Sequence, residues 1–338
     1  MLPHVTPRIV ENIDRATFDA EIRTAGQPVI LKGIAANWPA VQAARESPRV
    51  LGDYLRRFDT GVQINVSVCP KEERGQFFYN DTLTGLNYQT HKRTLTFVVG
   101  WCLAMMGQTE SESVYLQAQP VDDIAPAMAT DLNMPLLDAK IRPRLWIGNT
   151  LRTQTHFDYT ANIAVHIAGE KVFTLFAPHH TANLYPGPLD RTPAGVPISM
   201  ASLENPDFDR FPRFAEALAD RVVANLSPGD GLFIPPLWWH HVQTTGPLNM
   251  LVNYWWNDAR PDLVDPIAAL NIAALAYKNM PDAQRKAWRE MMEFFVFENE
   301  GPPMAHLPIA VHGAFEQNIS SYNLAQLKRF FLGGGNRF

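Results

Sequence analysis

The chain has 338 residues, 46% of them apolar and 19% charged, with a formal net charge of −5. This composition supplies a large buried core and argues against disorder, while the mild negative charge gives no general attraction to nucleic acid or an anionic membrane. Cys69 and Cys102 lie far apart and form no CxxC pair, against a disulfide framework or a thiolate metal site; with no secretory leader in residues 1–10 and no apolar run of roughly 18 residues to span a bilayer, a cytoplasmic protein without a membrane role is expected.

Asp14 as a cap, Phe18 and Ile22 four residues apart, and Gly26 and Pro28 as a stop predict a short amphipathic helix over residues 15–25. Residues 28–33 form a brief apolar run closed by Gly33 and predict a strand. Val62, Ile64, Val66 and Val68 alternate with polar residues, the pattern of a strand with one buried and one wet face. Residues 95–106 are apolar at helical spacing. From Leu145 to Trp256 short β-rich runs are separated by turn chemistry at Gly169, at Pro186-Gly187-Pro188 and at Ser227-Pro228-Gly229-Asp230-Gly231. Within this all-β part, residues 185–221 carry prolines and acids and read as an insertion running over the surface near one mouth of the sheet structure.

Beyond Arg260 the pattern becomes helical. Asp265-Pro266 supplies a cap and a proline for the first turn, followed by Ile267, Leu270, Ala274 and Tyr277 at helical spacing. A second helix is expected from Pro281 through Trp288, Met291, Met292 and Phe295, and a third around Leu324, Leu327, Phe330 and Phe331; Gly333 to Gly335 read as a frayed tail. The expected division is one domain over residues 1–260, with its β core at about 145–256, and a C-terminal helical segment over 261–338.

The segment Thr153-Gln154-Thr155-His156-Phe157-Asp158 opens a β-rich run, and residues two apart on a strand share a face. His156 and Asp158 therefore point together, and a third ligand is available downstream in Trp238-Trp239-His240-His241-Val242, which follows a Pro-Gly-Asp turn. Two histidines and one carboxylate on one side of iron(II) leave open positions for substrate and dioxygen. Adjacent His240 and His241 point to opposite sides of a strand, so periodicity allows only one as a ligand without choosing between them. Lys171 opens an otherwise apolar strand just past Gly169. Its ammonium either caps that strand in water or, beside a metal, pairs with the distal carboxylate of a dicarboxylic cosubstrate.

The Thr-x-x-His-x-Asp segment, the Gly-x-Lys turn, the Pro-Gly-Asp to Trp-Trp-His-His run and the strand Val252-Asn253-Tyr254-Trp255 together resemble the cupin-like JmjC oxygenases, and within them the asparaginyl hydroxylase branch. The resemblance covers nearly the whole chain loosely and Leu145 to Trp256 specifically. It implies a mainly β fold, a double-stranded β-helix or jelly roll, with N-terminal α/β flanking elements and a C-terminal helical segment. It further implies His156, Asp158 and His240 as ligands of iron(II), Fe(II), and Lys171, Thr153 and Tyr115 as the group holding the distal carboxylate of 2-oxoglutarate. Asn162 and Asn253 match amides at the cosubstrate end of the pocket, Trp255 an aromatic wall, and Gln117 a substrate-side glutamine. Pro197 and Ile198 stand where polar side chains of that branch hold a target peptide, so the resemblance carries the chemistry and not that target.

The expected activity is hydroxylation of a C–H bond with dioxygen (O2) and 2-oxoglutarate, releasing succinate and carbon dioxide, on a protein or peptide side chain ahead of a small molecule or nucleic acid. Two other readings stand beside it: a metal-binding cupin enzyme that does not use 2-oxoglutarate, and a non-catalytic jelly-roll binding module. The apolar C-terminal helices suit a homodimer face, as in related enzymes.

Overall fold

The computed structural model describes residues 4–108, 110–189, 192–193 and 195–332; the glycine tail at 333–335 lies outside the described residues. The chain divides into two compact units, Met1–Asn257 and Asp258–Phe338. No helix among the described residues is long and apolar enough to cross a membrane.

The first unit is built on twelve strands: β1 (Arg8–Glu11), β2 (Val29–Lys32), β3 (Ile64–Cys69), β4 (Gln76–Phe77), β5 (Gln89–Arg93), β6 (Ser113–Pro120), β7 (Pro143–Gly148), β8 (Leu151–Phe157), β9 (Ala161–Phe176), β10 (Val222–Leu226), β11 (Gly231–Ile234) and β12 (Trp239–Trp256). The two long ones, β9 and β12, organise the rest. The first half of β9 pairs with β11 and its second half with β10. The first half of β12 pairs with β8 and its second half with β7. Two layers result, one ordered β1-β2-β11-β9-β12-β7-β6-β3-β5 and one ordered β10-β9-β12-β8-β4, with β9 and β12 common to both. A sheet folded over on itself through shared strands is the double-stranded β-helix expected from the sequence.

Glycine makes the bends possible. Gly169 in β9 has φ +81° and Gly246 in β12 has φ +109°, values that an L side chain adopts only under strain. A Cβ on Gly169 would stand 2.0 Å from Asn249 Oδ1, so the two bends also approach each other closely. Across the bends the inward-facing positions change parity: Asn162 and Ala164, then Lys171 and Phe173, in β9; His240, Val242 and Thr244, then Leu251, Asn253 and Trp255, in β12. Both halves of each strand thus aim at one interior.

The flanking elements cover the larger layer. Asp14 accepts a hydrogen bond from the Thr17 amide and Gly26 ends the helix at φ +61°, but the middle turn, Phe18–Ile22, is a wider π turn that a four-residue spacing does not distinguish from an α turn. Phe18 packs edge-on to Phe233 with ring centroids 5.6 Å apart, and both Phe18 and Ile22 are fully buried. Helices Pro39–Glu46 and Pro48–Arg56, which the hydrophobic pattern did not single out, and Leu95–Ala104 bury Val41, Leu51, Leu55, Val98 and Val99 in the same core. Each such side chain contributes about 1.5–3 kcal/mol on burial.

Two expectations need correction. The strand read from Val62 begins at Ile64, leaves Val62 exposed and buries Ser67 on the expected wet face, because β3 lies between β5 and β6 and Ser67 Oγ accepts from Gln117 Nε2 at 3.2 Å. The 185–221 insertion is not only a surface excursion. Val196, Ile198, Ser199 and Ala201 are buried, Ile198 forms a bridge opposite His156, and Phe214–Ala219 is a helix packed into a satellite core.

The second unit holds helices Pro266–Tyr277, Asp282–Phe295 and Ser321–Leu332, and Asp265 accepts from the Ala268 amide as the cap expected from sequence. Gly169→Ala tests the strand bend. Left-handed backbone and contact with Asn249 together are expected to destabilise the protein by about 2–4 kcal/mol, read as a lowered unfolding midpoint in urea; an unchanged midpoint would show that the bend tolerates a side chain.

Candidate active site

The cavity between the two layers has room for about 180 Å³ and is lined by all ten residues singled out from the sequence: Tyr115, Gln117, Thr153, His156, Asp158, Asn162, Lys171, His240, Asn253 and Trp255. They arrive on β6, β8, β9, β12 and, for Asp158, the residue following β8.

At its centre the ligand atoms of His156, Asp158 and His240 lie within 4.8 Å of one another. His156 faces His240 across the β8–β12 pair, with ring centroids 4.3 Å apart, and His240 Nε2 is 3.8 Å from Asp158 Oδ2. Each imidazole is oriented by the carbonyl two residues before it: His156 Nδ1 donates to Gln154 O at 2.8 Å and His240 Nδ1 to Trp238 O at 3.1 Å. A carbonyl only accepts, so Nδ1 carries the proton and each Nε2 keeps a lone pair for a metal ion. Burial pushes both imidazoles down to about 4, which leaves them neutral and able to ligate near pH 7, and burial pushes the Asp158 carboxyl up. His241, by contrast, leaves the other side of β12 and places Nε2 3.0 Å from Glu204 Oε1.

Thr153 shares the cavity with His156 although they are three positions apart, a spacing that simple alternation forbids. A register shift explains it: His240 pairs with His156 and Val242 with Thr153, so Gln154 and Thr155 together face His241. This β-bulge turns Thr153 inward, where its hydroxyl lies 3.2 Å from Tyr115 Oη. Burial raises the Tyr115 phenol, keeping it a protonated donor.

Lys171 is 7% exposed, and its ammonium has no hydrogen bond or ion pair with any described residue. Burial lowers it from 10.5 to about 7. A buried cation without a protein counter-ion among the described residues, in a cavity that two hydroxyls also line, fits an anionic ligand group. Asn162 Oδ1 is likewise buried without a partner among the described residues.

Several neighbours carry no sequence signal of their own. Trp146 donates from Nε1 to Asn253 Oδ1 at 2.8 Å and meets Trp255 edge-on at 6.0 Å, while the Arg144 guanidinium sits 5.3 Å over the Trp255 ring. Pro193 reaches the cavity from the insertion, held by Tyr88 Oη donating to its carbonyl at 3.1 Å. The run Val196 to Ala201 inside the insertion was the available sign that this segment is partly core. Ile198 lies against β8 and lines a small pocket that adjoins the cavity at Tyr115, Gln117, Thr153 and Pro193. Among the described residues a second group, His179, His180 and Asp220, also brings three ligand atoms together, but two of its three members are exposed.

His240→Ala is expected to abolish manganese(II) binding, measured by the loss of the free-ion electron paramagnetic resonance signal on titration, whereas His241→Ala keeps a measurable site. Loss of the metal only in His241→Ala would reverse the assignment.

The cupin-like domain family matches residues 15–261 of this chain. Human HSPB1-associated protein 1 is 34% identical over 149 residues, 43% of this chain and 30% of that protein. Zebrafish (Danio rerio) lysine-specific demethylase 8 is 28% identical over 250 residues, 71% of this chain and 55% of that protein. Drosophila melanogaster Jumonji C domain-containing protein 5 is 25% identical over 280 residues, 75% and 63% respectively. The chain thus spans less than two thirds of the length of these relatives, while the family match takes in the whole β core and its N-terminal flank. Fold, site and match agree: the chain belongs to the cupin-like domain family, of the JmjC type.

Proposed function

We propose that the protein is an iron(II)- and 2-oxoglutarate-dependent oxygenase that hydroxylates a C–H bond of a protein or peptide side chain. The observation that carries this reading is the pairing of a buried two-histidine, one-carboxylate cluster with an uncompensated lysine in the same cavity. A structural histidine cluster needs no such lysine, and a metal-dependent cupin without a dicarboxylic cosubstrate gives it no role.

When bound, iron(II) with 2-oxoglutarate and dioxygen supplies the oxidising chemistry, one oxygen atom going to the substrate as hydroxyl and the other to succinate as carbon dioxide leaves. The protein's own contribution is positional. His156, Asp158 and His240 would occupy one side of the metal, with Asp158 partly offsetting its charge. Lys171 would pair with the far carboxylate of 2-oxoglutarate, and the Tyr115 and Thr153 hydroxyls would donate to the same group. Asn162 and Asn253 would fix the planar end of the cosubstrate, Asn253 being held in turn by Trp146. Trp255 would wall off water, and Gln117, held by Ser67, would face the substrate.

A protein substrate is supported by the relatives' names: one is described as associated with HSPB1, another as a demethylase specific for lysine. Demethylation of an N-methyl group begins with the same C–H hydroxylation, so both outcomes fall within one chemistry.

Two copies pairing through the C-terminal helices also belongs to this reading. Helix Pro266–Tyr277 is apolar along most of its length and has no buried residue, with Leu275 82% and Leu270 56% exposed. Exposed apolar surface of this kind marks an interaction face.

Lys171→Ala is expected to weaken 2-oxoglutarate binding about 10–100-fold, the loss of one charge-assisted contact of about 1.5–3 kcal/mol, measured by calorimetry with manganese(II) in place of iron. In the intact protein, affinity should be full below pH 7 and fall as pH rises through the value of about 7 set by burial, because the dianion binds the protonated ammonium. Lys171→Ala should flatten that profile; unchanged affinity and profile would remove 2-oxoglutarate from the proposal. Succinate formation with a peptide library tests turnover. Leu275→Glu should convert a dimer to a monomer in light scattering, and a wild-type monomer would dismiss the pairing.

A further inference from the structure

The 185–221 insertion touches both strands that carry the imidazoles, and does so at the bulge. There β8 sets Gln154 and Thr155 against His241 alone, and both bulge residues are engaged. The Gln154 carbonyl accepts from His156 Nδ1 at 2.8 Å, and the Thr155 carbonyl accepts from the Ser199 amide of the insertion at 2.7 Å. The Gln154 side-chain amide returns the contact, donating to the carbonyls of Ser199 at 2.8 Å and Ala201 at 3.1 Å. Farther along the insertion, Glu204 brings Oε1 within 3.0 Å of His241 Nε2 and 3.6 Å of Arg152 Nε, close charge contacts without hydrogen-bond alignment. Arg152 stands on β8 and His241 on β12, so one carboxylate spans the two ligand-bearing strands from outside the cavity.

We infer that Glu204 is a positioning residue: by facing both His241 and Arg152 from the outer side, it holds the bulge in register and so sets the directions of His240 and His156. The inference rests on the reading that His156, Asp158 and His240 bind a divalent metal. Glu204, His241 and Arg152 do not line the cavity, which separates this role from contact with cosubstrate or substrate. The lever is the backbone. His240 and His241 are consecutive on one strand and project to opposite sides, so a rotation that frees one swings the other. His241 is 1% exposed, and a buried imidazole that loses the acid facing it seeks another rotamer or drags its strand. Metal sites tolerate little such movement, of the order of 0.5 Å.

Manganese(II) binding to the full chain tests this, followed by electron paramagnetic resonance well below the unfolding temperature, with circular dichroism on each variant. Glu204→Leu is expected to weaken binding about tenfold, at the lower end of what loss of an outer partner does to a metal site. Glu204→Gln keeps an oxygen where Oε1 stands and should recover most of that affinity. Glu204→Asp keeps the charge but stops one methylene short, and should show the same loss even where the leucine variant does not fold. A merely structural role would lower the unfolding temperature and leave the affinity of the folded variant unmoved. That result, in Glu204→Leu or Glu204→Asp, overturns the inference while a wild-type site that binds manganese(II) keeps the metal reading intact. Wild-type protein that binds no manganese(II) overturns both.

Discussion

Two strands that change layers half way along their length govern everything in the cavity. β9 and β12 are each hydrogen-bonded to one neighbour before their bend and to another after it, and the bend is what lets both halves face inward. Asn162 and Lys171, then His240, Asn253 and Trp255, come from those two strands alone. Close approach of Gly169 to Asn249 fixes where the bends meet. Remaining elements complete the interior: β8 brings His156 and Thr153, β6 brings Tyr115 and Gln117, and the helices over the larger layer keep its outer face dry.

Electrostatics inside that interior is set by burial more than by pairing. Both imidazoles are held neutral because a protonated ring would lose its hydration, and the ammonium of Lys171 is depressed for the same reason. Carbonyl groups two residues upstream decide which nitrogen of each ring stays bare. The interior is therefore poised at a cost that binding can relieve: a divalent cation would satisfy the bare nitrogens and the carboxylate, and an anion would satisfy the ammonium.

Legibility in the sequence followed the range of each interaction. His156 and Asp158 share a face by a spacing of two, and Lys171 stood out as an ammonium in an apolar run; both are local signals. Choosing between His240 and His241 needed resemblance, because alternation treats neighbours symmetrically. Thr153 defied alternation altogether, since the bulge that turns it inward is a property of the β8–β12 pairing and leaves no mark in β8 itself. Trp146 and Glu204 were missed because their partners, Asn253 and His241, lie far along the chain. The insertion was read as surface from its prolines and acids, while its short apolar run from Val196 to Ala201 packs inside. The C-terminal helices were visible from periodicity and from the Asp265-Pro266 cap, both properties of single segments.

The bulge in β8 also makes chain length, and not only side-chain identity, part of the site. Thr153 and His156 share a wall because the bulge absorbs the extra residue that stands between them. Deleting Gln154 or Thr155 would leave Thr153 and His156 on one face at a spacing of two but would remove the bulge, and with it either the carbonyl that orients His156 Nδ1 or the one that accepts from the Ser199 amide, with every side chain that touches the cavity still encoded. Substitution scanning cannot expose that dependence, since it keeps the count constant.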